Sequence, residues 1–180
     1  MDHRAATDAD GGIAPFETAR VSLRPIATDD VDLLFELHAD REVMRFINGG
    51  EPESRDDVDA AVQASIGSRW VAFDRGNREF IGWFGLRPSD DEGLERELGY
   101  RLRRAAWGRG YATEVAKELI NVAFDDLGAR RLWAQTMAAN TRSRRVLDRI
   151  GLRYVRTFYA FWPPSIAGAE LGDVEYELRL

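Results

Sequence analysis

Apolar residues along the chain recur with two spacings, near 3.6 and near 2.0 residues, and the switches between them mark its elements. Val21-Ser22-Leu23-Arg24-Pro25 alternates and is ended by proline, which predicts a first strand. Thr28 can cap a helix with Asp29 and Asp30 in its first turn and an apolar stripe of Val31, Leu34, Phe35 and His38. The helical pattern continues over 43–47 until Asn48-Gly49-Gly50 breaks it, and a further helix is predicted over 54–68. A hairpin follows, with strands at 70–73 and 80–86 around the turn Asp74-Arg75-Gly76-Asn77. Beyond a polar loop come a strand at 94–102 and a helix at 111–127 with Val115, Leu119, Val122 and Ala123 on one face. A strand at 131–137, a helix at 141–150 that buries Val146, Leu147 and Ile150, and a strand at 152–161 complete the middle of the chain. The last segment alternates from Asp173, setting Val174, Tyr176, Leu178 and Leu180 opposite Asp173, Glu175, Glu177 and Arg179. The order β-α-α-β-β-β-α-β-α-β-β predicts the α/β class, with one mixed, mostly antiparallel sheet flanked by helices. Residues 1–14 are small, polar and glycine-containing and read as a disordered leader, leaving 15–180 as a single domain.

Composition removes several kinds of chemistry. With no cysteine and two histidines, disulfides and thiolate metal sites are excluded and a histidine-based zinc site is not expected. A Ser-His-Asp triad could use only His38, which lies inside a helical pattern with no nucleophile-elbow motif nearby and reads as a packed core or interface histidine. No apolar run approaches the ~18 residues that span a bilayer, and the first residues show no apolar signal region, so neither membrane nor secretion is expected and the cytoplasm is. A net charge of −6 argues against nucleic acid as a partner. The charge is uneven, however. Arg96, Arg101, Arg103, Arg104 and Arg109 cluster against the single Glu97, a balance that suits a small polyanionic ligand.

That basic stretch contains Trp107-Gly108-Arg109-Gly110-Tyr111-Ala112-Thr113-Glu114, a glycine-rich turn between a strand and a helix. Backbone N–H groups at such a turn point outward and the helix dipole favours an anion. Thr113 stands where a third glycine of a dinucleotide fingerprint would be, and no Gly-Lys-Ser/Thr follows, so neither a Rossmann nor a P-loop phosphate site fits. A second helix opens at Asn140-Thr141-Arg142-Ser143.

Together these segments resemble the GNAT acyltransferase superfamily, in its RimJ/RimL-like branch. The resemblance rests on Trp107-Gly108-x-Gly110-Tyr111-Ala112-Thr113-Glu114 and on Asn140-x-x-Ser143-x-x-Val146-Leu147-x-x-Ile150-Gly151-Leu152. It extends to Thr18-Ala19-Arg20-x-x-Leu23-Arg24-Pro25, Glu42-Val43-Met44-Arg45-Phe46 and Gly172–Leu178, and so covers about residues 18–180. Trp107 stands where the superfamily often has Gln or Arg.

The resemblance implies transfer of an acetyl group from acetyl-CoA directly to a primary amine, on a protein N-terminus or a small molecule, with no metal. It implies a coenzyme site at Tyr100, Arg101, Leu102, Arg103, Arg104, Trp107, Gly108, Arg109, Gly110, Tyr111, Ala112 and Thr113, together with Asn140 and Ser143. Amides of 100–102 would polarise the thioester carbonyl, and Ser143 would steady the departing thiolate. Asn140 has two readings, helix cap or pantetheine contact. Glu97, matching an acidic position in the family, is the candidate base, against a plain ion pair with Arg96 or a cross-strand arginine. A base matters because on the order of one lysine-like amine in a thousand is neutral at pH 7. Trp83, Tyr159, Phe161, Trp162 and Glu175 are candidates for lining the acceptor pocket, although aromatics there are more often core. A catalytically silent acyl-CoA-binding module and a nucleotide-binding regulator are the competing readings. The sequence leaves a homodimer open.

Overall fold

The computed structural model describes residues 13–160 and 166–180. Its framework is one eight-stranded sheet in the order β1-β2-β3-β4-β5-β6-β8-β7. The strands are β1 (Phe16–Glu17), β2 (Val21–Pro25), β3 (Arg69–Asp74), β4 (Phe80–Pro88), β5 (Glu95–Leu102), β6 (Arg131–Met137), β7 (Arg153–Phe158) and β8 (Asp173–Arg179). All neighbours are antiparallel except β5 and β6. Five helices flank it: α1 (Val31–Ala39), α2 (Arg41–Met44), α3 (Arg55–Gln63), α4 (Tyr111–Asn121) and α5 (Thr141–Arg149).

Alternation along the strands divides the core in two. One set of side chains, including Leu23, Phe84, Leu86, Leu98, Leu102, Leu132, Ala134, Val174 and Tyr176, packs under α4 and α5 through Tyr111, Val115, Leu119, Leu147 and Ile150. On the other face Val71, Phe80 and Trp83 meet Val31, Leu34 and Leu37 of α1 and Val58 and Val62 of α3. The apolar stripes read from the helical spacing are the buried faces of these helices.

The predicted element order holds, with some local differences. A short β1 precedes the first expected strand and pairs with it. The helix predicted to run on through 43–47 is interrupted at Asp40, whose extended backbone lets its carboxylate cap α2 through the Glu42 N–H. The helix expected over 54–68 starts from a Ser54 cap and stops at Gln63. The helix expected over 111–127 keeps α geometry to Asn121 and then widens into a π turn over Val122–Asp126 before Gly128. Leu180 is 85% exposed instead of joining Val174 and Tyr176 in the core. Of the leader expected over 1–14, residues 1–12 lie outside the described ones. Ile13 packs on the core, and the Ala14 carbonyl accepts from the Trp70 indole at 2.9 Å.

Candidate active site

The site forms where two strands part. β5 and β6 pair in parallel only from Glu95 opposite Arg131 to Glu97 opposite Trp133. Beyond that point β5 stays paired with β4, and β6 stays paired with β8. Leu98–Leu102 and Ala134–Met137 therefore diverge, each with one open edge of main-chain donors and acceptors. A parallel pair that opens at its C-terminal ends makes a wedge, and α4 and α5 both start at its mouth.

The α4 start is built for an anion. Gly108 (φ +72°) and Gly110 (φ +83°) turn the chain in the left-handed region that other residues rarely adopt. Among the described residues, the N–H groups of residues 108–113 have no hydrogen-bond acceptor; the first donor on the helix side is Glu114, to the Gly110 carbonyl. This row of free amides at the positive end of a helix has the arrangement that suits an anion. Two residues brace it. Glu114 accepts from the Thr18 hydroxyl (2.7 Å) and from the Arg20 main chain (2.8 Å) and Nε (2.7 Å), while Arg20 Nη1 donates to the Arg109 carbonyl at 2.9 Å. Motif reading did not assign this bracing role. Its signal was an acidic residue in the first turn of α4 and an arginine in the opening segment.

The arginines expected at the phosphates are spread over several tasks. Arg104 pairs with Asp40 at 3.1 Å, Arg103 reaches the Phe80 carbonyl at 3.4 Å, and Arg109 lies over the Tyr111 ring. Tyr111 itself turns into the core, its hydroxyl bonded to Asp74, so only its main chain faces the turn. Trp107 donates to the Leu102 carbonyl at 2.8 Å and lies under Arg142 at 4.8 Å, tying the end of β5 to the start of α5. Ala112 packs partly into the core.

On the α4–α5 face of the wedge, the Tyr100 hydroxyl lies 3.1 Å from Ser143 Oγ. Burial pushes the Tyr100 phenol up to about 12, so it keeps its proton and has a hydrogen to donate. Asn140 caps α5 by accepting from the Ser143 N–H at 3.2 Å, and its amide nitrogen donates to Thr136 at 3.1 Å. Both ends of its side chain are thereby engaged inside the protein.

The opposite face carries Glu97, Gly99 and Arg101 of β5. Glu97 pairs across the strands with Arg87, whose Nε lies 3.1 Å from Oε2; both contacts go to Oε2 and leave Oε1 outside the pair. The cross-strand ion pair weighed as the plain reading of Glu97 is thus formed. Arg101 turns away from the coenzyme turn toward α1, with Nη1 at 2.8 Å from His38 Nε2 and 3.3 Å from Met44 Sδ. His38 in turn meets Glu53 at 2.6 Å. Arg69 lies over the Trp83 ring at 3.8 Å. None of His38, Glu53 and Arg69 was among the expected site residues; they come from elements distant in sequence, and no local motif marks them.

The remaining acceptor-pocket candidates are placed differently. Glu175 is buried and bonded to Arg131 (2.6 Å) and Arg156 (2.9 Å), and Glu177 is bonded to Arg131 (2.7 Å) and Arg179 (3.0 Å). Arginines of the same sheet face therefore satisfy these carboxylates. Tyr159 is 74% exposed beyond the end of β7. Phe161 and Trp162 lie outside the described residues.

Residues 20–153 match the acetyltransferase (GNAT) domain family. The chain belongs to this GNAT acetyltransferase family. The acetyltransferase transfers an acetyl group from acetyl-CoA to a primary amine. It is 31% identical over 176 residues to the FsC-acetyl coenzyme A-N(2)-transacetylase of Aspergillus fumigatus, covering 89% of this chain and 74% of the relative. Two solved structures share the acetyltransferase's fold. A GNAT-family acetyltransferase from Bacillus anthracis superposes with a TM-score of 0.78 at 21% identity, covering 92% of this chain and 98% of that one. RimL, a ribosomal L7/L12 alpha-N-protein acetyltransferase in complex with coenzyme A, gives a TM-score of 0.77 at 16% identity, covering 91% and 96%. The free amides of 108–113 and the open β5 edge fit coenzyme A, a ligand with a pyrophosphate at one end and a long amide-bearing arm.

Proposed function

We propose that the acetyltransferase holds coenzyme A in the β5–β6 wedge, with the amides of 108–113 on the pyrophosphate, and receives its amine on the Glu97 face. The observation that carries this reading is the two-sided wedge: Tyr100 and Ser143 on one face of β5, Glu97 on the other. Acetyl-CoA, when bound, supplies an activated acetyl thioester. Everything else falls to the chain. Glu97 Oε1, free of Arg87, accepts the proton that the ammonium must lose before it can attack. Open main-chain N–H groups of β5 polarise the carbonyl that takes up negative charge. Tyr100 donates to Ser143 Oγ, which leaves the Ser143 hydrogen for the departing sulfur. Asn140 fixes that serine through its backbone cap.

The motif form at 107–114 and 140–152 supports placing the enzyme in the RimJ/RimL-like branch. No helix among the described residues is long and apolar enough to cross a membrane, in keeping with a cytoplasmic acetyl-CoA user. The FsC transacetylase, a relative at 31% identity over most of this chain, is named for an N(2) amine, whereas RimL, alike in fold at 16% identity, is named for a protein alpha-N position. The stronger sequence likeness favours an N(2)-type amine over a protein N-terminus.

Thiol-release kinetics test the assignment. Glu97→Gln is expected to lower kcat about 100-fold or more at pH 7, with acetyl-CoA affinity unchanged and the deficit shrinking as pH rises toward the amine pKa. Ser143→Ala is expected to lower kcat about 10-fold, the worth of one hydrogen bond to a charged leaving group. Unchanged kcat in Glu97→Gln removes Glu97 from the chemistry, and an effect of Ser143→Ala confined to acetyl-CoA affinity makes the serine a binding residue.

A further inference from the structure

The Glu97 face of the wedge holds two guanidinium groups that no carboxylate neutralises at ion-pair distance. The Trp83 ring lies directly against Gly99, with ring carbons 3.5 and 3.7 Å from where a Cβ would stand. Arg69 covers the same ring at 3.8 Å, and the Arg101 guanidinium carbon is 5.5 Å from its centre. Among the described residues the Arg69 guanidinium has no hydrogen bond or ion pair, its main chain alone being bonded, to Ile26 and within the sheet. Arg101 spends Nη1 on His38 and Met44, while its Nε and the Trp83 Nε1 are buried without a partner.

The neighbouring carboxylates make no ion pair with either arginine, although the charge of Glu53 attracts both. Glu53 is engaged by His38, Glu97 by Arg87. His38 stays uncharged: desolvation first, then repulsion from Arg101, lower its pKa to about 4. Burial first, then the other positive charges nearby, pull Arg69 to about 10; burial pulls Arg101 there too, against the attraction of Glu53. Both remain charged at pH 7. Both groups are half out of water with Glu53 as their shared carboxylate neighbour beyond ion-pair contact, which leaves guanidinium donors that an anion can fill. Strand register puts them on the same face as the proposed base. Arg69 stands opposite Gly85, which stands opposite Gly99; along β5, Gly99 is one pleat repeat (~7 Å) and Arg101 two repeats (~14 Å) from Glu97.

We propose that Arg69 and Arg101, stacked about Trp83, form a carboxylate-binding subsite for the amine acceptor, so that the acceptor carries a carboxylate near its amine and is not a polycation. This rests on the acetyl-transfer site proposed above. The two guanidinium groups hold the carboxylate, while the amine extends along the strand toward Glu97. A polyamine or aminoglycoside places positive charge against Arg69 and Arg101 and is rejected by repulsion.

Matched acceptors test this. Initial rates are measured for free amino acids against their carboxamides, for Ala-Glu against Ala-Gln N-terminal peptides, and for spermidine. Calorimetry measures binding of N-acetyl amino acids against N-acetyl amino acid amides. A free carboxylate is expected to raise kcat/KM at least 10-fold over the amide, mainly through KM, and the acetylated acid to bind at least 10-fold tighter than its amide. The amino-acid and peptide arms separate a backbone carboxylate from an acidic side chain. Arg101→Gln and Arg69→Gln are expected to bring both ratios near one with acetyl-CoA affinity kept; Arg→Lys at either position, which retains charge, is expected to restore part of the ratio and covers a Gln variant that fails to fold. Equal rates and equal binding for acid and amide, or spermidine as the best acceptor, overturn the subsite and leave acetyl transfer standing. A panel in which no amine is acetylated overturns the catalytic reading, and the calorimetric pair then decides the subsite alone.

Discussion

His38 shows how much of a residue's behaviour is set by neighbours that its local sequence does not name. On the α1 stripe it reads as one more packed side chain, and it is nearly fully buried. Its two nitrogens, however, join Glu53 to Arg101, and repulsion and burial hold it neutral with a pKa of about 4. In the unfolded chain it titrates near the ordinary ~6.5. The unfolded state therefore takes up a proton that the folded state refuses, and this contribution to stability is full above pH ~6.5 and lost as pH falls toward 4. Denaturant unfolding of His38→Gln is expected to show a deficit at pH 7, from the two lost contacts, that narrows by on the order of 2 kcal/mol by pH 4.5. Parallel pH profiles for the two proteins would show that His38 titrates normally in the fold. Glu97 was legible as a candidate because it lies on the strand leading to the glycine turn and matches an acidic position in the family. Its partner Arg87 was not, since only the β4–β5 register sets them opposite. Asn140 and Ser143 were legible as a pair, and the cap between them is the local interaction their spacing implies.

At the scale of elements, period and caps did most of the work. The strands and helices of the second half lie close to where alternation and helical spacing put them, because Gly110, Asn140, Gly128 and Gly151 punctuate the chain with local chemistry. Differences arose where a helix end depends on geometry beyond the pattern, as at Asp40 and at the π turn after Asn121. β4 contains a glycine whose reason is tertiary. Gly82 has φ +150°, and a Cβ there would stand 2.1 Å from the Arg101 carbonyl oxygen and 2.8 Å from the Leu102 Cα. Both are main-chain atoms at the C-terminal end of β5, in the part that has diverged from β6, so relief requires moving the strand itself. Gly82→Ala is expected to cost about 3 kcal/mol or more and to lower acetyl-CoA affinity along with stability, read by thermal unfolding and by titration. Gly108→Ala has open space around its Cβ, so its cost is limited to the strain of positive φ, about 1 kcal/mol.

The whole molecule is a sheet whose two halves are held differently. Helices cover β3 and β4 on both faces, while the second half carries an ionic layer on one face, where Arg131 meets Glu95, Glu175 and Glu177 at 2.6–2.7 Å. Removing the cation leaves three carboxylates together. Arg131→Met is expected to lose about 3–5 kcal/mol at pH 7, and the gap from the parent to close below pH ~4. The sign follows from Glu177, whose pKa Arg179 and Arg131 lower: the stability it lends is present above the ordinary carboxylate range and lost as acid protonates it. Equal losses at pH 7 and pH 3.5, measured by denaturant titration, would count against this ionic role. By itself the sequence determined the class, the order of elements, the apolar faces, the phosphate turn and the Asn140–Ser143 helix start, because each depends on residues within a turn or a few strand positions of one another. Tertiary structure decided the strand order with β7 outside β8, the point at which β5 and β6 part, the Glu97–Arg87 pair and the Arg69–Trp83–Arg101 stack. These depend on which strands lie side by side and in what register. That choice is made by packing between segments distant in the chain, which no local period records.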